Sequence, residues 1–265
     1  QGLFAEARQS LSGLRDADSS PAIRARAARP HMMTLRKAAT DPSIIDNSAA
    51  EVQSWKYDFI IDAANRSREN STKLIIWSSF RFNLLKLTSL LGEFSPAIVY
   101  GAIPSDNNQS GEGGPMVGTR EWMFDRFKNQ DSCSILIANP AACGESISLH
   151  HWCNEAIYLD RSFNAAHFLQ SMDRIHRFGK NPETGEMTCR AHPVTYHLLN
   201  TVDTIDQRIH NRLEQKIQRQ RELLESGNFS EPLVEEGTII PDDPDMADPT
   251  SGTSHDDILD FLADL

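Results

Sequence analysis

Apolar residues gather in short runs through the middle of the chain, at residues 74–77, 97–100, 135–138, 156–159 and 194–198. Runs this short and this uniformly apolar predict strands buried on both faces. Between them lie stretches with helical spacing, at residues 82–91, 119–129 and 165–176. Residues 51–68 lead into the first run with Val52, Trp55, Phe59, Ile60 and Ala63 at helical intervals. Strands separated by helices predict an α/β fold, a parallel sheet with helices on both faces. Ligands of such sheets bind beyond the carboxyl ends of the strands, which here are residues 78–80, 101–104, 139–146 and 160–164. The Gly-, Asn- and Ser-rich stretch 106–118 reads as a mobile surface insertion.

The flanks differ in pattern. Residues 3–14 are weakly helical, a Ser/Asp break follows at 16–21, and an arginine-studded segment at 23–37 is interrupted by Pro30, so the start reads as a connection. After the last strand, Thr204 and Gln207 fit a capping box. Ile205, Ile209, Leu213, Ile217 and Leu224 then form an apolar stripe that stops at Gly227. This predicts a long bracing helix, with Arg208, Arg212, Lys216, Arg219 and Arg221 on a solvated face. Beyond it the chain is acidic, with Pro241, Pro244 and Pro249 among aspartates, and reads as a disordered linker. Residues 256–265 close the chain as a short acidic helix with enough apolar side chains to dock on a surface. The expected organisation is a helical linker region at 1–50, the α/β domain at 51–200, the bracing helix at 201–226 and a largely disordered acidic tail at 227–265.

Composition refines this picture. With 265 residues and 39% apolar content, one large domain with appendages can bury a substantial core. No apolar run reaches the roughly 18 residues of a membrane span, and the start lacks the regions of a signal peptide, so a cytoplasmic, membrane-free setting is expected. Cys133, Cys143, Cys153 and Cys189 include no Cys-x-x-Cys pair and read as reduced thiols. A set of Cys143, His150, His151 and Cys153 fits no standard zinc spacing, and no metal site is expected. The net charge of −11 is local, because the chain from Ser226 onward holds acidic residues and no Lys or Arg. The remainder carries equal numbers of each sign. Contact with nucleic acid would therefore come from a localised groove rather than from bulk charge.

One segment carries candidate chemistry. Gln170, Asp173, Arg174 and Arg177 cluster at the end of the helix predicted over 165–176, and positions three apart on a helix share a face. Two guanidiniums so placed match phosphate oxygens bidentately. On residue types alone, a surface helix end with cations complementing the helix dipole is the alternative.

The blocks taken together resemble the second RecA-like lobe of superfamily-2 helicases, specifically the Snf-type double-stranded DNA translocases. The resemblance spans roughly residues 32 to 226. Residues 35–42 are similar to the segment leading into that lobe, and residues 73–80 resemble motif IV. Tyr100 and Gly101, followed by Arg120 and Phe127, resemble the next block. Residues 135–149 look like motif V, residues 160–164 like the aspartate-to-asparagine block, and residues 170–180 like motif VI. The resemblance implies that ATP binds between two lobes, the first holding phosphates and Mg2+ and the second supplying arginine fingers. Arg174 and Arg177 would be those fingers, worth about 10³ to 10⁵ in rate in other phosphotransfer systems. Gln170 and Asp173 would orient them, and Gly144 and Glu145 would sit between nucleotide and DNA. Ser79, Gly101 and Ser146 would contact the DNA backbone, since small residues and exposed N–H groups suit phosphate without reading bases.

The departures are informative too. The chain contains no glycine-lysine-threonine phosphate loop and no Asp-Glu-x-His motif, so ATP hydrolysis is expected to need a first lobe supplied in cis or in trans. Ser146 and Ser148 stand where the family usually has Gly and Asn. Residues 158–164 look more like prokaryotic members, which implies a bacterial, DNA-associated role by analogy. Two readings stay open: half of an ATP-driven translocase, or a non-catalytic docking or regulatory module that binds a protein partner, or mimics DNA in its own groove, through its acidic tail.

Overall fold

The computed structural model describes residues 2–15, 17–45, 54–105, 115–143, 147–176, 178–180, 187–189, 193–226, 240–241 and 252–263. In chain order the helices are α1 (Gly2–Arg15), α2 (Pro21–Thr40), α3 (Trp55–Glu69), α4 (Arg81–Leu90), α5 (Arg120–Asn129), α6 (Ala165–Asp173), α7 (Ile205–Ser226) and α8 (His255–Ala263). The strands are β1 (Leu74–Trp77), β2 (Ala97–Val99), β3 (Ile135–Ala138), β4 (Glu155–Tyr158), β5 (Phe178–Lys180), β6 (Met187–Cys189), β7 (Thr195–Leu198), β8 (Ile240–Pro241) and β9 (Gly252–Thr253).

Five strands form one sheet in the order β2-β3-β1-β4-β7, and every pairing in it is parallel. At its centre Ile76 lies level with Ile137 on one side and Ile157 on the other. Because side chains alternate along a strand, each apolar run feeds two cores. Ile75, Trp77, Leu136, Ala138, Ala156 and Tyr158 join one with residues of α1, α2, α5, α6, α7 and α8. Leu74, Ile76, Ile135, Ile137 and Ile157 join the other with residues of α3 and α4. β1 and β3 are buried throughout, which is why neither shows polar alternation. β5 with β6 and β8 with β9 make small antiparallel pairs outside this sheet.

Several elements depart from the pattern in the sequence. The start of the chain, expected to be a helical connection, does form helices, α1 and α2, but their Leu11, Ala25, Ala28 and Met32 enter the main core. Helix α2 runs unbroken through Pro30, where a proline inside a helix typically costs about 3 kcal/mol or more. Burial of Ala28 and Met32 on either side offsets that loss. Helix α6 ends at Asp173 rather than His176, with Arg174 as its C-cap. Leu149 N–H donates to the Arg174 carbonyl at 2.8 Å, so a tertiary contact takes over where the helix would have continued.

Of the basic face of α7 expected to be solvated, Arg219 and Arg221 are exposed, but Arg208, Arg212 and Lys216 are engaged by the acidic terminal helix. Asp257 of α8 pairs with Arg212 at 3.1 Å and Lys216 at 2.7 Å, and Asp260 pairs with Arg212 at 2.6 Å. Ile258, Phe261 and Leu262 are buried in the main core. Of the insertion expected at 106–118, residues 106–114 lie outside the described residues, and of the linker expected to be disordered beyond Gly227, so do 227–239 and 242–251; residues 240–241 and 252–253 of it pair as β8 and β9.

Candidate functional site

The carboxyl ends of β1, β3 and β4 open into a cleft. Its walls are Ser79 after β1, Asn139, Pro140 and Ala141 after β3, and Asp160, Arg161, Ser162 and Asn164 after β4. Tyr158, His167 and Phe168 complete it. Three of the four strand-end segments read from the sequence as ligand-binding thus converge on one cavity. The fourth, residues 101–104, does not line it.

Asp160 organises the cleft. Its Oδ1 accepts from Ser79 N–H at 2.8 Å, and its Oδ2 accepts from Asn83 Nδ2 at 3.0 Å and from the Ser78 hydroxyl. A buried carboxylate with three donors has the partners that burial demands. Asn139 plays a matching part after β3: its Nδ2 donates to Ser78 O at 3.1 Å, while its Oδ1 accepts from Ala141 N at 2.9 Å and Ala142 N at 3.3 Å. Side chains thus replace ladder hydrogen bonds where the strands stop, and the loops over the cleft are fixed in place.

The other wall is the start of α6. Asn164 caps the helix, accepting from His167 N at 3.0 Å, and the first turn faces the cleft through His167 and Phe168. A helix N-terminus favours anions. Beside it Arg161 is 7% exposed and held by Asn200 Oδ1 at 2.7 Å and His210 Nδ1 at 3.2 Å. Burial lowers its pKa, opposed by Asp206. Its backbone carbonyl accepts from Arg36 Nη2 of α2 at 3.1 Å, and Phe163 O accepts from Lys216 of α7 at 2.9 Å. The loop at 160–164 is therefore clamped from two helices. Tyr158 donates to or accepts from Ser171 Oγ at 2.7 Å, and its pKa is pushed up chiefly by burial.

The predicted site residues divide into three groups. Ser79 lines the cleft, but its N–H is engaged by Asp160, so the backbone donor expected for phosphate is already used. Gly101 lies outside the cleft lining; its carbonyl accepts from Arg120 Nη2 at 2.9 Å, and Arg120 Nε also holds Ile103 O at 2.8 Å. Gln170 and Asp173 are exposed on α6. Arg174 is 8% exposed, and its Nη1 donates to Ile147 O at 3.3 Å. It is seated against the loop at 147–149, and none of these three residues lines the cleft. Gly144, Glu145, Ser146 and Arg177 lie outside the described residues. Asp160 entered the sequence reading as the aspartate opening the 160–164 block, without a role, and Asn139, Arg161 and His167 were not singled out. Their only signal there was position, immediately beyond strand ends or at a helix start.

Among the described residues, no group of three or more His, Cys, Asp or Glu side chains is placed to hold a metal ion. Burial pushes the thiols of Cys143 and Cys153 up to about 12. Both are therefore poor metal ligands.

No family model matches the chain. Over 129 residues, 49% of this chain, the sequence is 26% identical to the human chromatin-remodeling ATPase INO80, and the match covers 8% of that protein. The structure is similar to the C-terminal domain of the Sulfolobus solfataricus SWI2/SNF2 ATPase, with a TM-score of 0.55 and 15% identity over 84% of each chain. It is also similar to the C-terminal part of the Fun30 ATPase domain, at TM-score 0.50 and 18% identity over 80% of this chain and 84% of that one. The S. solfataricus ATPase core in complex with dsDNA matches at TM-score 0.53 and 16% identity, over 86% of this chain and 44% of the core. With its five-stranded parallel sheet between helices, the chain has the α/β RecA-like fold of SWI2/SNF2 ATPase C-terminal domains.

Proposed function

We propose that this chain is the second lobe of an ATP-dependent DNA translocase, contributing one wall of the nucleotide site and part of the track along duplex DNA. The observation that carries the reading is convergence. Motif-like segments far apart in sequence, at 78–80, 139–141 and 160–164, meet in one cleft at the carboxyl ends of the sheet, where such folds bind ligands. One solved core of similar fold is described as in complex with dsDNA, and the human protein with a partial sequence match is described as a chromatin-remodeling ATPase.

In this reading Ser79, held by Asp160, and the first turn of α6, capped by Asn164, face the phosphate backbone. Backbone contacts of this kind position DNA without reading its sequence. The reading assigns Arg174 and Arg177 to a nucleotide site that a second lobe, in cis or in trans, completes. Bound ATP supplies the phosphoryl group whose charge a guanidinium offsets. Arg174 fits that task in chemistry, as a fixed cation seated at the end of α6, and Gln170 and Asp173 flank it. Magnesium would be held by the other lobe. The bacterial, DNA-associated setting rests on residues 158–164 alone.

The test is binding of the full chain to a short duplex, followed by fluorescence anisotropy across a salt series. The reading predicts affinity that falls as salt rises and drops about tenfold for Ser79→Asp, which puts a charge against phosphate. Binding unchanged by salt and by Ser79→Asp would overturn the DNA assignment.

A further inference from the structure

The groove between α1, α2 and α7 holds the chain's own terminal helix, and the two surfaces match in detail. α8 presents two kinds of side chain. On one side Ile258, Phe261 and Leu262 sink into the core shared with α1 and α2, whose Ala7, Ala25 and Ala28 leave room for them. On the other, Asp257 and Asp260 meet Arg212 and Lys216 at 2.6–3.1 Å. Arg208 adds a guanidinium 5.1 Å above the Phe261 ring. Cations four residues apart on α7 and anions three apart on α8 give the two helices a shared register. The start of α8 is prepared for the same purpose: Asp257 N–H donates to Ser254 Oγ at 3.1 Å, and Ser254 N–H donates back to Asp257 Oδ2 at 3.3 Å. That reciprocal box fixes the helix start and aims the Asp257 carboxylate, 1% exposed, at Arg212 and Lys216.

We propose that this groove is a binding site for acidic amphipathic helices, filled in cis by α8 and, once that helix leaves, by the α8 of a second copy of the chain. A groove with an apolar floor and a basic rim suits an acidic amphipathic helix better than a phosphate backbone, which has no apolar face to bury. At nine residues, α8 is shorter than helices that persist alone in water, so it folds only on its seat and unfolds on leaving it. Because α8 and its groove belong to one chain, the cis helix docks without the cost of bringing two molecules together. The cis helix therefore excludes a competing copy until its own contacts are weakened. Exchange of an identical element between copies is then the natural outcome.

The experiment uses the full chain carrying Ile258→Asp and Phe261→Asp, which unseats α8 without touching the groove, and a labelled peptide of residues 252–265. The double variant should bind the peptide at least about tenfold more tightly than the unaltered chain does, and adding Arg212→Glu should abolish the gain. A double variant with native circular dichroism that ignores the peptide, or that captures a short DNA duplex in its place, would overturn the proposal. Should the double variant not fold, hydrogen exchange on the unaltered chain decides. Amides of residues 256–262 should open well before those of β1 and β3. Opening together with the sheet would mean that α8 is an inseparable part of the core, contrary to the proposal.

Discussion

The ammonium of Lys56 meets the carboxylate of Asp206 at 2.6 Å, with both side chains out of solvent, and so joins α3 to the first turn of α7. Lys56 also donates to Leu159 O at 3.2 Å, and Asp206 accepts from Thr201 N–H at 3.1 Å. The pair therefore pins the bracing helix at the point where β4 leaves the sheet for the cleft. Removing one partner leaves the other charge buried and alone, which typically costs about 3–5 kcal/mol. Lys56→Met or Asp206→Leu should lower stability by that amount in urea unfolding, whereas the double change should recover a large part of it. Additive losses in the double variant would show that the two charges do not depend on each other.

Asp160 is the cleft's own fastener. Asp160→Asn keeps one acceptor oxygen but turns an amide N–H₂ toward groups that are already donors, so at least one of Ser78, Ser79 and Asn83 loses its partner. The expected loss is about 1–3 kcal/mol, together with faster hydrogen exchange at Ser79. A variant as stable as the parent would mean that the carboxylate is not what holds the strand ends.

How much of this was legible beforehand depends on where the deciding contact lies. β1 and β3 were readable because both their faces are covered, and four successive apolar residues leave no other reading. β4 begins one residue earlier than its apolar run, at Glu155. That polar residue is carried into the ladder by pairing with Thr195, and its carboxylate meets His197 at 2.9 Å. The end of α6 was misread because a carbonyl–amide contact with Leu149, far away in sequence, decides it. Thr204 and Gln207 were read as a capping box; in the structure Gln207 Oε1 accepts from Asp203 N–H, one residue outside the cap. The convergence of strand ends on a cleft followed from the fold class. The Asp160 contacts did not, because its partners lie about eighty residues upstream and nothing local marks them. Likewise the basic row of α7 had no local sign of a partner, and its cover comes from the far end of the chain.

Acid stability should expose a second ion pair. Burial alone would raise the Asp41 carboxyl, but hydrogen bonds from Lys86 and from Ser43 at 2.6 and 3.0 Å outweigh it and hold the pKa below its ordinary 3.8. A carboxylate depressed on folding stabilises the native state above its unfolded pKa, and that contribution disappears as pH falls through the lower folded value. Stability of the parent and Lys86→Met should differ most above about pH 4 and converge below it. Parallel curves down to the acid transition would contradict the assignment.

The thiols give a prediction of the opposite sign. Burial pushes Cys143 and Cys153 up to about 12 and raises Cys133 as well, so the native state keeps all three protonated. The stability tied to this is intact below pH 9 and is lost as pH rises from there toward the folded values, because the unfolded chain ionises first. At pH 8, alkylation of these three cysteines should proceed only through unfolding, on the order of a hundredfold slower than in urea. Rapid native labelling of Cys143 would mean that its burial has been misjudged.

The central claim is that this lobe completes a nucleotide site which it cannot build alone, and the guanidinium of Arg174 is where that claim can be measured. The direct test is DNA-stimulated ATP hydrolysis by the full chain joined to a RecA-like first lobe of a SWI2/SNF2 ATPase, with Arg174 intact or changed to alanine or lysine. Because Arg174 also holds Ile147 O, each variant is first checked for native thermal unfolding. The account predicts that folded Arg174→Ala loses about 10³-fold or more in kcat with DNA affinity little changed, and that Arg174→Lys recovers only a small part of it. Undiminished turnover in a folded Arg174→Ala variant would contradict it.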